Sequence, residues 1–176
     1  EIFNSFNQKP TLIINNIHRK YVDLNREPKY AYESYRGKMI HHNYHYKINR
    51  EVQRLIQKYN KVFIFDIHGF AHKEIDIVLS TRNHKTIMNS DKDIFFTSKT
   101  SIYKKLVKIG FKVQINKPFY GGYTIKNIKE KNTDENISLI QVELGNEIRF
   151  NKSIQNKFIN SFSTMIFKLA EYEVTT

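Results

Sequence analysis

Three short stretches of the sequence collect side chains able to move protons or hold ions. His18, Arg19, Asp23, Asn25 and Arg26 lie in HRKYVDLNR, Asp66, His68 and Gly69 close VFIFDIHGF, and Gln141, Glu143, Glu147 and Arg149 lie in IQVELGNEIR. On a strand, Asp66 and His68 point to the same side. An imidazole is the commonest metal ligand, and a carboxylate beside it fixes its tautomer. The plainer alternative is a strand-terminal His bonded to backbone, with the Asp capping a turn. Glu143 sits in an apolar run, where partial burial would raise its proton affinity toward that of a general base; the alternative is an ion pair with Arg149. Arg26 can clamp a carboxylate with two parallel hydrogen bonds, or it can close a local salt bridge with Asp23 or Glu27. His41 and His45 stand one helical turn apart, a spacing that can ligate zinc. His42 occupies the position where HExxH needs its Glu, so this stretch is expected to be a solvated helix face.

These residues need elements to position them. TLIINNI (11–17) is short and β-branched after Pro10, which predicts a strand delivering HRKYVDLNREP as a loop. From about Ala31 to Tyr59, apolar residues at Tyr35, Met39, Ile40, Ile48, Val52, Leu55, Ile56 and Tyr59 recur at helical spacing. KVFIFDI is apolar on both faces, the pattern of a central strand covered by helices on each side. EIDIVLST alternates, which places a further strand nearer an edge. SKTSIYKKLVKIG reads as a helix with a Ser or Thr cap and Gly110 as its stop. FKVQI is a strand, and KPFYGGYTIKNI opens with turn signals at Pro118 and Gly121-Gly122. KEKNTDEN is a polar surface loop, ISLIQVEL the last strand, and KSIQNKFINSFSTMIFKLAEY an amphipathic helix. Strands alternating with long crossovers give an α/β sheet with helices on both faces. In such a sheet, ligands bind outside the carboxyl ends of the strands, where all three polar stretches fall.

Composition narrows the function classes. The chain has 176 residues, the length of one domain, and is 40% apolar and 14% aromatic, enough to bury a core. Cysteine is absent, which excludes disulfides, thiolate zinc ligands and thiol nucleophiles. Lys and Arg number 29 against 17 Asp and Glu, a net charge of +12. The lysines are scattered among Asn and Ile rather than gathered in an Arg-rich block, so the expected partner is an anionic small molecule and not nucleic acid. No stretch approaches the roughly 18 apolar residues of a membrane span, and no signal-peptide pattern opens the chain. The expectation is a soluble, cytoplasmic protein.

Taken in order, HRKYVDLNR, FDIHG, GGYTI and IQVELGNEIR resemble the N-formylglutamate amidohydrolase family, within the zinc hydrolases of metallocarboxypeptidase-like fold. The resemblance runs from about Thr11 to Arg149. It implies a three-layer α/β/α sandwich with a mixed, mostly parallel central sheet, of phosphorylase/hydrolase-like type, and one zinc ion. By the same resemblance His68 is the third zinc ligand and Glu143 the general base and acid. Asn25 and Arg26 hold the substrate carboxylate or polarise its carbonyl, Arg26 thereby taking part in catalysis. Arg19, Gly121, Gly122 and Arg149 complete substrate binding, with Asp66, Asp23 and Gln141 supporting these groups. The implied substrate is an N-acylated amino acid, N-formylglutamate-like, or a peptide carrying a carboxylate. The family's first two zinc ligands precede the TLIINNI stretch, yet EIFNSFNQKP holds neither a His nor an acidic pair. The chain is therefore expected to be a single hydrolase-like domain over 1–176, lacking its first strand and first metal-binding motif. Two other readings are a degenerate relative that only binds ligand, and a site in which His18, His72 or His84 has taken over ligation. A basic nucleic-acid-binding domain is the reading of another class.

Overall fold

The computed structural model describes residues 10–133 and 136–171. A short helix α1 (Pro28–Ala31) leads into α2 (Tyr35–Lys58), followed by strands β1 (Val62–Gly69) and β2 (Ile77–Ser80). A 3-10 turn at Asn89–Asp91 and a π-helical turn at Asp93–Thr97 precede α3 (Ile102–Lys108) and β3 (Val113–Ile115). Helix α4 (Tyr123–Lys131), strand β4 (Ile137–Leu144) and helices α5 (Asn146–Phe150) and α6 (Lys152–Glu171) complete the order. The four strands form one mixed sheet in the order β1-β4-β2-β3. β1 runs parallel to β4 and β2 parallel to β3, while β2 and β4 are antiparallel.

Side-chain alternation along the strands divides the core in two. Ile64 of β1, with Val62, Ile137 and Leu139, packs against Ile48 and Val52 of α2 and Ile125 and Ile128 of α4. On the other face Phe63, Phe65, Ile140 and Val142, with Ile77 and Leu79, meet Phe95, Phe96, Leu106 of α3, and Phe158, Phe162 and Met165 of α6. Helices thus cover both faces, the three-layer α/β/α architecture that alternation of elements predicts. The helix ends follow their sequence signals. Ser34 Oγ accepts from Gly37 N and starts α2, Ser101 Oγ accepts from Lys104 N and starts α3, and Gly110, at φ +99°, stops α3.

Several elements differ from expectation. TLIINNI is not a strand: it lies in irregular chain with Leu12 and Ile14 73% and 74% exposed. β-branched residues favour a strand only where another strand pairs with them, and none does among the described residues. β1, expected in the centre, is at the edge of the sheet, and β2, expected nearer an edge, lies inside and is buried throughout. Cover on both faces sets apolarity, and it is independent of whether a strand has one lateral neighbour or two. Lys129–Lys131 of the predicted surface loop are the last residues of α4, while Asp134 and Glu135 of that loop lie outside the described residues. Residues 1–9, on which the expected loss of a first motif rests, also lie outside them. No helix among the described residues is long and apolar enough to cross a membrane.

Candidate active site

The face of β1 and β4 that lies beneath α2 and α4 changes character along its length. Val62 and Ile64 are followed on it by Asp66 and His68, and Ile137 and Leu139 by Gln141 and Glu143. Parallel register sets Asp66 beside Gln141 and His68 beside Glu143. One sheet face is therefore hydrophobic core at its start and a polar cluster at its carboxyl end.

The Asp66 Oδ2 and His68 Nε2 atoms are 2.9 Å apart. Both atoms are buried and meet no partner apart from each other, so what joins them is the attraction between a carboxylate and an imidazole. Burial by itself lowers the proton affinity of His68, but the carboxylates of Asp66, Glu143 and Asp23 outweigh it and hold the imidazole above its ordinary pKa. Burial pushes the Glu143 carboxyl up, with Asp66 adding to the effect; His68, the hydrogen bond from Gln141 and Arg19 oppose it without cancelling it.

Gln141 is the centre of a neutral network. Its Nε2 donates to Glu143 Oε1 at 2.6 Å, and its Oε1 accepts from Gly122 N at 2.8 Å and Asn25 Nδ2 at 3.2 Å. Asn25 in turn accepts from Thr124 N on its Oδ1 at 3.1 Å and from Tyr123 N on its backbone oxygen at 3.0 Å. Two amides thereby satisfy the first N–H groups of α4, which has no side-chain cap of its own. Gly122 permits this closeness, since a Cβ there would fall 2.2 to 2.3 Å from the Asn25 amide.

Asp23 gathers the two arginines of the first stretch, with Arg19 Nη2 at 2.6 Å and Arg26 Nε at 3.2 Å from its Oδ2. Both arginine side chains remain mostly exposed, at 71% and 61%. Gly121 takes φ +116°, and its carbonyl accepts from Arg82 Nη1 at 3.0 Å. Arg149 lies elsewhere. Its guanidinium covers Gly69 on the side a Cβ would occupy, and alternation puts that side with Phe65 and Ile67, opposite His68. No ion pair joins Arg149 to Glu143 among the described residues. A broad groove between residues 11–13 and α2, lined by Leu12, Arg50, Arg54 and Lys131 among others, contains none of the polar cluster.

His41 and His45 overturn the solvated-face expectation: they are 3% and 4% exposed. Their spacing is in phase with buried Ile48 and Val52 on α2, and that phase was the readable signal. Arg82 and Tyr44 were also missed. Burial pushes the Tyr44 phenol up to about 12, with the Asp66 charge contributing, which places this α2 residue near the cluster.

For a metal ion, His68 Nε2 and Asp66 Oδ2 are orphaned donors of the right type. They do not complete a site. No group of three or more His, Cys, Asp or Glu side chains among the described residues could hold a metal ion. His18 and His72 each accept a nearby backbone N–H through Nδ1, and His84 packs edge-on to Phe96.

A three-layer α/β/α sandwich with carboxylates and an imidazole gathered at the carboxyl ends of neighbouring parallel strands defines an α/β domain whose polar cluster lies where such sheets bind ligands. The crystal structure of N-formylglutamate amidohydrolase from Ralstonia eutropha aligns with TM-score 0.60 and 18% identity, over 75% of this chain and 50% of that one. A gene product of Agrobacterium tumefaciens aligns with TM-score 0.56 and 13% identity, over 88% of this chain and 69% of that one. At these identities the likeness is one of fold, and this chain spans half the length of the Ralstonia protein. No curated protein matches the chain. Residues 31–148, more than half of the sequence, match the N-formylglutamate amidohydrolase family, and the chain belongs to it.

Proposed function

We propose that this domain hydrolyses the C–N amide bond, formyl or acyl, of a small N-acylated amino acid bearing a carboxylate, N-formylglutamate-like, in a zinc-dependent reaction. The observation that carries this reading is the register that sets buried Glu143 beside His68 at the ends of two parallel strands. Zinc, when bound, would polarise the amide carbonyl, and His68 Nε2 and Asp66 Oδ2 are the donors the described residues would offer it. The chain's own groups can handle the protons. Glu143, held through Oε1 by Gln141, accepts a proton from the attacking water as its oxygen bonds to the carbonyl carbon. The tetrahedral adduct then breaks its C–N bond, and Glu143 returns the proton to the departing nitrogen. Arg26 and Arg19, exposed on their outer sides, supply the positive charge that a substrate carboxylate seeks.

Glu143→Gln keeps the shape and removes the base. Turnover of N-formylglutamate and related N-acyl amino acids should be abolished while the circular dichroism spectrum is kept, and an unchanged rate would refute the role. That the donor set is incomplete among the described residues supports a second reading, a hydrolase-like domain that binds acyl amino acids without turning them over. Metal analysis separates the two, because one zinc per chain belongs to the enzyme and none to the binding module.

A further inference from the structure

His41 and His45 take no part in the proton transfers above, yet their chemistry is specific. His41 Nε2 lies 3.0 Å from the carbonyl oxygen of Arg26, and His45 Nε2 lies 2.9 Å from that of Leu24. A carbonyl only accepts, so both rings carry their proton on Nε2. They grip alternate carbonyls of the VDLNR loop, which has no strand or helix of its own at Leu24 to Arg26 to satisfy those groups. The two rings are 4.4 Å apart, and the Tyr123 ring covers both at 5.6 and 5.0 Å. That cover is itself tethered: Asn49 of α2 donates to Asn127, and Asn127 donates to the Tyr123 hydroxyl, each at 3.1 Å.

The loop is thus held from two sides, by α2 through its backbone carbonyls and by α4 through Asn25. We infer that His41 and His45 are positioning residues, neutral Nε2–H donors that set the VDLNR loop so that Asn25 reaches Gln141 and Gln141 holds Glu143. The catalytic consequence rests on the amidohydrolase reading; the mechanical one does not. If volume alone mattered at these positions, Phe would serve as well. If the donor matters, Gln, whose amide nitrogen reaches as far as Nε2, should stand in and Phe should not.

The test compares His45→Phe and His41→Phe with His45→Gln and His41→Gln. In each Phe variant, hydrogen exchange at the Gly122, Tyr123 and Thr124 amides should accelerate about tenfold or more, and kcat should fall about as far, while α6 amides stay within about twofold. Each Gln variant should restore both. His45→Phe combined with Asn25→Ala should be no slower than Asn25→Ala alone, since the two act through one chain of contacts. Unchanged exchange at these three amides, equal acceleration throughout α6, or failure of Gln to restore would overturn the inference. If a Phe variant does not fold, the wild-type protein still decides: ring-nitrogen shifts at neutral pH must report Nε2–H for both histidines, and Nδ1–H in either refutes the clamp. Should the wild type hydrolyse no amide, the proposed function fails while the exchange and ring-nitrogen results still judge the clamp.

Discussion

Acid should loosen this domain through His45. Its ring is buried beside a second imidazole, and burial first, then the neighbouring His41, lowers its pKa from 6.5 to about 4. The proton would have to enter at Nδ1, a buried atom with no partner. In the unfolded chain the same residue protonates near 6.5, so between about 6.5 and 4 the unfolded state binds more protons than the folded one. The stabilising difference is present above 6.5 and is lost as the pH falls toward 4. A displacement from 6.5 to about 4, at about 1.4 kcal/mol for each pH unit, amounts to about 3 kcal/mol, a large share of a stability of about 5–15 kcal/mol. His41 is also lowered by burial and acts in the same direction. The charged and titratable groups around the pair are Asp23 from the loop, Tyr32 just after α1, Asp66 from β1, Tyr123 and Lys131 from α4, and His42 and Tyr44 from α2. Two other groups oppose the trend. The stabilising share of His68, whose pKa is raised, is complete below 6.5 and lost as the pH rises through its folded value. The burial cost of Glu143 is present above its raised folded value and relieved as the pH falls through it. The assay must therefore isolate His45: urea midpoints of wild type and His45→Gln at pH 7.5, 5.5 and 4.5. The wild type should lose about 2 kcal/mol or more relative to the variant by the lowest pH. Parallel losses in the two proteins would refute the reasoning.

Two further outcomes follow from packing. Gly122→Ala puts a Cβ against the Asn25 amide and should cut hydrolysis about as deeply as Asn25→Ala, read from steady-state rates beside a melting curve; full activity would show that the latch can open without cost. Phe95→Ala empties a site that is 1% exposed beneath the phenylalanines of β1 and should cost about 3–5 kcal/mol in denaturant unfolding.

Periodicity made the long elements legible, because a helix that buries one stripe and a strand buried on both faces write their spacing into the chain. Thus α2, α3, α6 and the strands were all readable, while strand order was not. Phe63 and Phe65 on one side of β1, with Val62 and Ile64 on the other, report cover above and below and say nothing of how many strands flank β1, which has one such neighbour among the described residues. Helix α4 escaped notice for another reason. Its opening turn is capped by Asn25 and Gln141, distant in sequence, and its buried residues include Thr124 and Asn127, so neither a local cap nor an apolar stripe announced it. Polar residues at strand ends could be found one stretch at a time. What could not be read was the register that sets His68 against Glu143, or the commitment of Asn25 to α4.

The electrostatics of the cluster explain why amides, rather than arginines, surround Glu143. An arginine in contact with that carboxylate would stabilise its charged form and depress its pKa, weakening it as a base. The arginines expected at the site are engaged elsewhere, and of them Arg19 acts on Glu143 only through space, too weakly to cancel the effect of burial. Arg19 and Arg26 pair with Asp23, and Arg149 stands over Gly69 on the opposite face of the sheet. Gln141 fixes the position of Glu143 with a neutral donor whose oxygen is already engaged by Gly122 and Asn25, so the amide cannot turn over without breaking both of those bonds. Burial is then free to keep the proton affinity of Glu143 high, and the loop held by His41 and His45 keeps the amides where that arrangement requires them.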